Sequence, residues 1–150
     1  MSTLSNLVKE YFESNDWEYD LDSEDEGVFM AGVATENGEF DIVVQSDDSL
    51  NHISCYCIHP EPVPEERRDA MVEFMMRVNS SNILAIYDMD YDTGTVRVRS
   101  SITIADVKPT PHLIETLIDG AVTTSDVYYP GLLAVLEDEL SPQEALDECI

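Results

Sequence analysis

The stretch Ile86–Ser100, IYDMDYDTGTVRVRS, decides how the rest of the chain is read. Asp88, Asp90 and Asp92 alternate as acids do at the start of a calcium loop, and Asp92-Thr93-Gly94 spells the nucleophile triplet of an aspartic protease. An EF-hand loop needs glycine at its sixth position and a bidentate glutamate at its twelfth. Counted from Asp88, those positions hold Thr93 and Arg99, a cation where a carboxylate is required. An aspartic protease needs two carboxylates that share a proton, whereas this chain carries one Asp-Thr-Gly.

A hairpin accounts for more residues. With Thr93-Gly94 at the tip, Asp90 falls opposite Arg97, Asp88 opposite Arg99, and Met89 opposite Val98. One face is then apolar and the other carries two opposite-charge pairs, each contributing about 0.2–1 kcal/mol. A slip by one residue inverts a strand's faces, so the matched register is expected. Threonine is a poor residue at a position needing positive φ, and a four-residue loop in the same register is the alternative. Asp88, Asp90, Arg97 and Arg99 thus mark the outer face of a sheet and the expected partner surface.

Upstream of this hairpin the pattern is strands. Leu4, Leu7, Val8, Tyr11 and Phe12 recur at helical spacing, with Ser2 or Thr3 as cap and an end near Asn15. Four strands follow: WEYDLD (17–22), VFMAGVAT (28–35), EFDIVVQS (39–46) and LNHISCYCIH (50–59), divided by SEDEG, ENG and DDS turns. At PEPVPEERR the period changes. Pro64 suits a first helical turn, and Met71, Phe74, Met75 and Val78 form an apolar stripe ended by NSSN (79–82).

Downstream, Thr110 and Pro111 open a helix whose face runs from Leu113 to Tyr128. Pro130-Gly131 is expected to kink or break it. Ser141, Pro142 and Glu144 stand in the order of a capping box, which predicts a short terminal helix or frayed tail over 141–150. The order α-β-β-β-β-α-β-β-α-α predicts a single α+β domain over 1–150, a largely antiparallel sheet with helices packed on one side.

Charge narrows the partners. The chain holds 32 acids against 7 Lys plus Arg, a formal charge of −25. Bases are confined almost wholly to residues 61–110, so both ends are anionic. Such a surface repels nucleic acid and anionic membrane and favours solubility or a basic partner. No apolar run reaches the length of a bilayer span. MSTLSNLVKEYF lacks the pattern of a signal peptide, and three cysteines form no disulfide framework, so a cytoplasmic location is expected.

Chemistry-bearing residues are sparse. Cys55, Cys57 and His59 alternate on one strand face, but residues four apart on a strand are about 13 Å apart. Only Cys55 and Cys57 could chelate together, with outside ligands, and a buried inert pair is the simpler expectation. No Walker A, G-x-S-x-G or dinucleotide fingerprint is present. No catalytic residue, cofactor or metal is expected. An enzyme whose site is assembled across the fold, or a metal sensor built on Cys55 and Cys57, is the alternative.

Three stretches carry a family resemblance: VPEERRDAMVEFMMRVN (63–79), YDMDYDTGTVRVRSSI (87–102) and LIETLIDGAVTTSDVYYPGLLAVL (113–136). They resemble the YbjN family of bacterial sensory transduction regulators, most closely its compact cyanobacterial-type members. The likeness covers residues 1–146 and is strongest from Val63 onward. It implies a fold similar to type III secretion chaperones and a non-catalytic protein-binding module, chaperone-like or regulatory, with a protein partner and/or a homodimer. Two departures stand out: Thr93-Gly94 replaces the family's Asp-Gly turn, and the acidity is unusually high.

Overall fold

The computed structural model describes residues 3–149. Helix α1 (Thr3–Ser14) leads to β1 (Asp20–Leu21), β2 (Val28–Ala34), β3 (Glu39–Asp47) and β4 (His52–Ile58). A short 3-10 turn (Glu65–Arg67) enters α2 (Arg68–Ser81). β5 (Ile86–Met89), β6 (Val96–Thr103), α3 (Pro111–Leu136) and α4 (Pro142–Cys149) complete the chain. The element order is the one read from the sequence. The six strands form one antiparallel sheet in the order β1-β2-β3-β4-β6-β5.

Period-two alternation sorts the strands into two faces. Phe29, Phe40, Ile42, Val44, Ile53, Cys55, Cys57, Val96 and Val98 point inward and are buried. α3 lies across β4 and β6, α1 packs on β3 and α3, and α2 packs on β5, α3 and α4. Phe12, Phe74, Met71, Ile114 and Leu132 fill the layer between. Each such side chain contributes about 1.5–3 kcal/mol on full burial.

The ends of the helices are tied to the sheet. Thr3 and Leu4 donate their main-chain N–H groups to the Asp48 carboxylate at 3.1 and 3.2 Å. A carboxylate there satisfies orphan donors and complements the positive end of the helix dipole. Thr3 is inside the helix, and Ser2 lies outside the described residues. The capping box of α4 is formed: Glu144 N–H donates to Ser141 Oγ, and Ser141 N–H donates to Glu144 Oε1.

Three expectations need correction. Trp17, Tyr19 and Leu21 do alternate, but only Asp20–Leu21 is strand. Trp17 and Tyr19 instead pack their rings on Phe12 at 5.5 and 5.4 Å. Of the expected kink or break at Pro130, the break does not occur: α3 runs through it as one helix. Proline denies a donor to the carbonyl four residues back, here that of Asp126, and Asn37 Nδ2 supplies it at 2.9 Å.

The third correction concerns the opening hairpin. Asp88 pairs with Arg97, Ile86 with Arg99 and Met89 with Val96, a register two residues away from the one expected. A four-residue loop, Tyr91 to Gly94, replaces the two-residue tip. Asp90 N–H donates to Thr95 O, and Gly94 N–H to Asp90 O. A shift of two preserves both faces, so the apolar side stays inward. Gly94 takes the positive φ of +80°, and a Cβ there would collide with the Val63 carbonyl.

The two sheet edges differ. On β5, Asn79 both accepts from Tyr87 N–H and donates to Tyr87 O, at 2.8 and 3.1 Å. Asn82 donates to Ala85 O at 3.1 Å. Side chains of α2 and its cap therefore occupy both outward main-chain groups of Tyr87 and the carbonyl of Ala85. At the opposite edge, β1 covers β2 only at Phe29 and Met30.

Candidate functional site

Among the described residues no layer covers the sheet face opposite the helices. Register aligns Met30, Val43, Tyr56, Arg99 and Ile86 in one row across five strands. Gly32, Asp41, Ile58, Arg97 and Asp88 form the row beside it. Met30, Val43, Tyr56 and Ile58 are half-buried by their neighbours alone. The face is thus an apolar strip with ions at its margins.

Arg97 is fixed on this face. Its Nε and Nη2 donate to the two carboxylate oxygens of Asp88 at 2.8 and 3.1 Å. Its guanidinium lies over the Tyr56 ring, 4.8 Å from the centroid. The bond to Asp88 raises the Arg97 pKa further, and burial opposes this. The pair is partly exposed and contributes about 0.2–1 kcal/mol, mostly by fixing register.

Asp90 has a different place from Asp88. Its Oδ1 accepts the N–H groups of Asp92 and Thr93 at 2.9 and 3.2 Å, so it shapes the turn. Arg68 clamps the same loop from α2, donating to Val63 O, Tyr91 O and Asp92 O. The Asp-Thr-Gly triplet is therefore a turn held by an arginine.

Arg99 is the exception among the arginines. Arg67 donates to Val135 O and pairs with Asp138, and Arg77 reaches Glu73 and Gln143. Arg68 and Arg97 are engaged as above. Arg99, between Tyr56 and Ile86, has no hydrogen-bond or ion-pair partner among the described residues. The sequence marks Arg99 as a site residue but pairs it with Asp88. Tyr56, Met30, Val43 and Ile58 were not singled out, although their alternation with the buried positions placed them on this face.

The inward side holds a second group of polar residues. Cys55 and Cys57 are buried, and burial raises both thiol pKa values, that of Cys57 to about 11. Protonated thiols are poor metal ligands and poor nucleophiles, and no three His, Cys, Asp or Glu among the described residues form a metal-holding group. His59 sits among Phe40, Tyr129 and Tyr87, with ring centroids at 4.9, 5.4 and 5.6 Å. Burial lowers its pKa to about 4. Neither of its ring nitrogens nor the Tyr87 hydroxyl has a hydrogen-bond partner among the described residues. No helix among the described residues is long and apolar enough to cross a membrane.

An antiparallel six-stranded sheet with helices packed on it is a fold shared with solved chaperone–effector complexes. A chain of the HopA1–SchA chaperone–effector complex superposes with a TM-score of 0.52 at 11% identity, over 80% of this chain and 88% of that one. A chain of the ExsC–ExsE complex gives 0.54 at 13% identity, over 83% and 90%. YbjN from E. coli, described as "a putative transcription regulator", gives 0.58 at 13% identity, over 89% of both chains. At these identities the likeness is one of fold. The family is settled by sequence: the chain belongs to the YbjN family, "Putative bacterial sensory transduction regulator", whose profile matches residues 5–134. Among curated protein sequences none matches significantly.

Proposed function

We propose that this chain is a non-catalytic, cytoplasmic protein-binding module with a regulatory or chaperone-like role, acting on a polypeptide partner and as a homodimer. The observation that carries the proposal is the bare sheet face, where apolar Met30, Val43, Tyr56 and Ile58 lie beside an unpaired Arg99. A half-buried apolar strip with one unpaired cation suits a partner that brings both a hydrophobic side chain and a carboxylate. Asp88, Arg97 and Arg99 are the contact residues on this face, with Asp90 at its rim. Membership of the YbjN family and the fold shared with a chaperone–effector complex support the same role.

The test pairs capture with substitution. The immobilised protein is exposed to lysate of its source beside a charge-matched acidic control, and its oligomeric state is measured by sedimentation. Arg97→Ser with Arg99→Ser should weaken specific capture or dimerisation while the fold persists. Capture at control level, or binding and sedimentation unchanged by the double substitution, removes the assignment.

A further inference from the structure

We infer that the open edge of β2 at Gly32–Ala34 takes an extended polypeptide segment with lysine or arginine opposite Gly32. The inference rests on the reading of the chain as a protein-binding module and names a second surface and the chemistry of its occupant.

Asp22 N–H donates to Val28 O at 3.0 Å, so the even-numbered residues of β2 aim their main-chain groups at the β1 side. β1 ends its pairing at Met30. Gly32 and Ala34 are the next two even positions, and both are exposed. They continue the line of β1 with no strand to pair among the described residues, whereas at the β5 edge Asn79 and Asn82 occupy the groups of Tyr87 and Ala85.

Three hollows meet at this point. One of about 510 Å³ lies between Gly32–Ala34 and the loop Asn15 to Glu18, which gives an added strand its bed. A second, of about 590 Å³, opens onto the bare face over Gly32, Asp41 and Ile58. The third, of about 460 Å³, runs past Ala34 and Glu39. A Cβ built on Gly32 meets nothing within 4 Å, so the glycine leaves a gap in the side-chain carpet.

Charge chooses the occupant. Asp16, Glu18, Asp20, Glu39 and Asp41 rim the three hollows, and no Lys or Arg lines any of them. Among the described residues none of these five carboxylates is in an ion pair. Asp41 faces Gly32 across the β2–β3 register. Strands lie about 4.8 Å apart, so an added strand stands about 10 Å from β3. A lysine or arginine stem reaches that far, and Gly32 is the one residue type that leaves it a path to Asp41. An acidic segment, or a second copy of this chain, would meet like charge.

The test uses a synthetic peptide alternating lysine with valine, its glutamate counterpart and a threonine counterpart, at about 0.15 M ionic strength to screen distant charge. The lysine peptide is expected to bind the full chain and to slow hydrogen exchange at Gly32 and Ala34. Ala34→Pro keeps an edge strand intact but removes its outward donor, and should weaken binding about tenfold. Gly32→Val, at a position with room and an ordinary φ, keeps the fold and should weaken the lysine peptide while sparing the threonine one. Equal binding to the parent and both variants, unprotected Gly32 and Ala34 amides, or equal binding of the glutamate peptide overturns the inference. So does a dimer of the free chain that Ala34→Pro dissolves, since the edge then belongs to a second copy. A natural partner captured equally by the parent and Ala34→Pro leaves the module standing and takes this edge away from it. Peptide pairing without any captured partner supports the edge and not the Arg99 face.

Discussion

Asn37 donates its side-chain amide to the carbonyl of Asp126, the group that Pro130 leaves without a helical donor. The main-chain N–H of Asn37 also reaches the Asp126 carboxylate at 2.8 Å. The β2–β3 hairpin thus clasps α3 at its proline. Asn37→Ala should cost about 1 kcal/mol by urea denaturation. In a Pro130→Ala background residue 130 regains its N–H and the cost should shrink. An equal cost in both backgrounds would show that the two residues are not coupled.

His59 makes stability depend on pH. Unfolded, its imidazole takes a proton near its ordinary 6.5; folded, burial holds its pKa near 4. The unfolded chain therefore binds more protons between those values. Stability is full above pH 6.5, falls as pH drops to 4, and levels below, for a loss of about 3 kcal/mol. The acidic surface titrates in the same range, so the measurement is the difference between the parent and His59→Phe. That difference should move in favour of His59→Phe as pH falls from 7 to 4.5, and a constant difference contradicts the assignment.

Thiol reactivity should divide the cysteines. Burial raises all three thiol pKa values, but Cys55 and Cys57 are buried while Cys149 is only half-buried. A disulfide reagent at mild alkaline pH should modify Cys149 in the native protein, and the other two only after denaturation. Fast modification of a second thiol would count against the packing of α3 over β4.

The Tyr91–Gly94 loop depends on Gly94 and Arg68. Gly94→Ala places a Cβ in a left-handed residue and against the Val63 carbonyl. It should cost at least about 2 kcal/mol. Arg68→Ala frees three carbonyls and should raise hydrogen exchange in the loop first. Thermal unfolding and exchange check the two in turn.

Sequence patterning carried the element order because each segment holds its own period: Met71, Phe74, Met75 and Val78 for α2, Phe40, Ile42 and Val44 for β3. What escaped it depends on partners distant in the chain. The hairpin register follows from Asp90 capping a longer turn, and from Val63 and Arg68, outside Ile86–Ser100, holding that turn. α3 passes Pro130 because Asn37, 93 positions earlier in the sequence, replaces the missing donor. Charge complementarity placed Arg97 and Arg99 on the right face but gave them the wrong partners, since a shift of two residues keeps every side chain on its side. The apolar strip went unread because outward Met30, Val43 and Tyr56 make those strands look buried on both faces.

The stoppered β5 edge sets a limit on growth. Head-to-tail fibres need every subunit to offer one free strand and accept another. With Asn79 holding Tyr87 on one side, a strand added at the β5 edge has to displace a side-chain clasp. Strand exchange through this sheet is therefore biased to one edge, which disfavours growth into a filament.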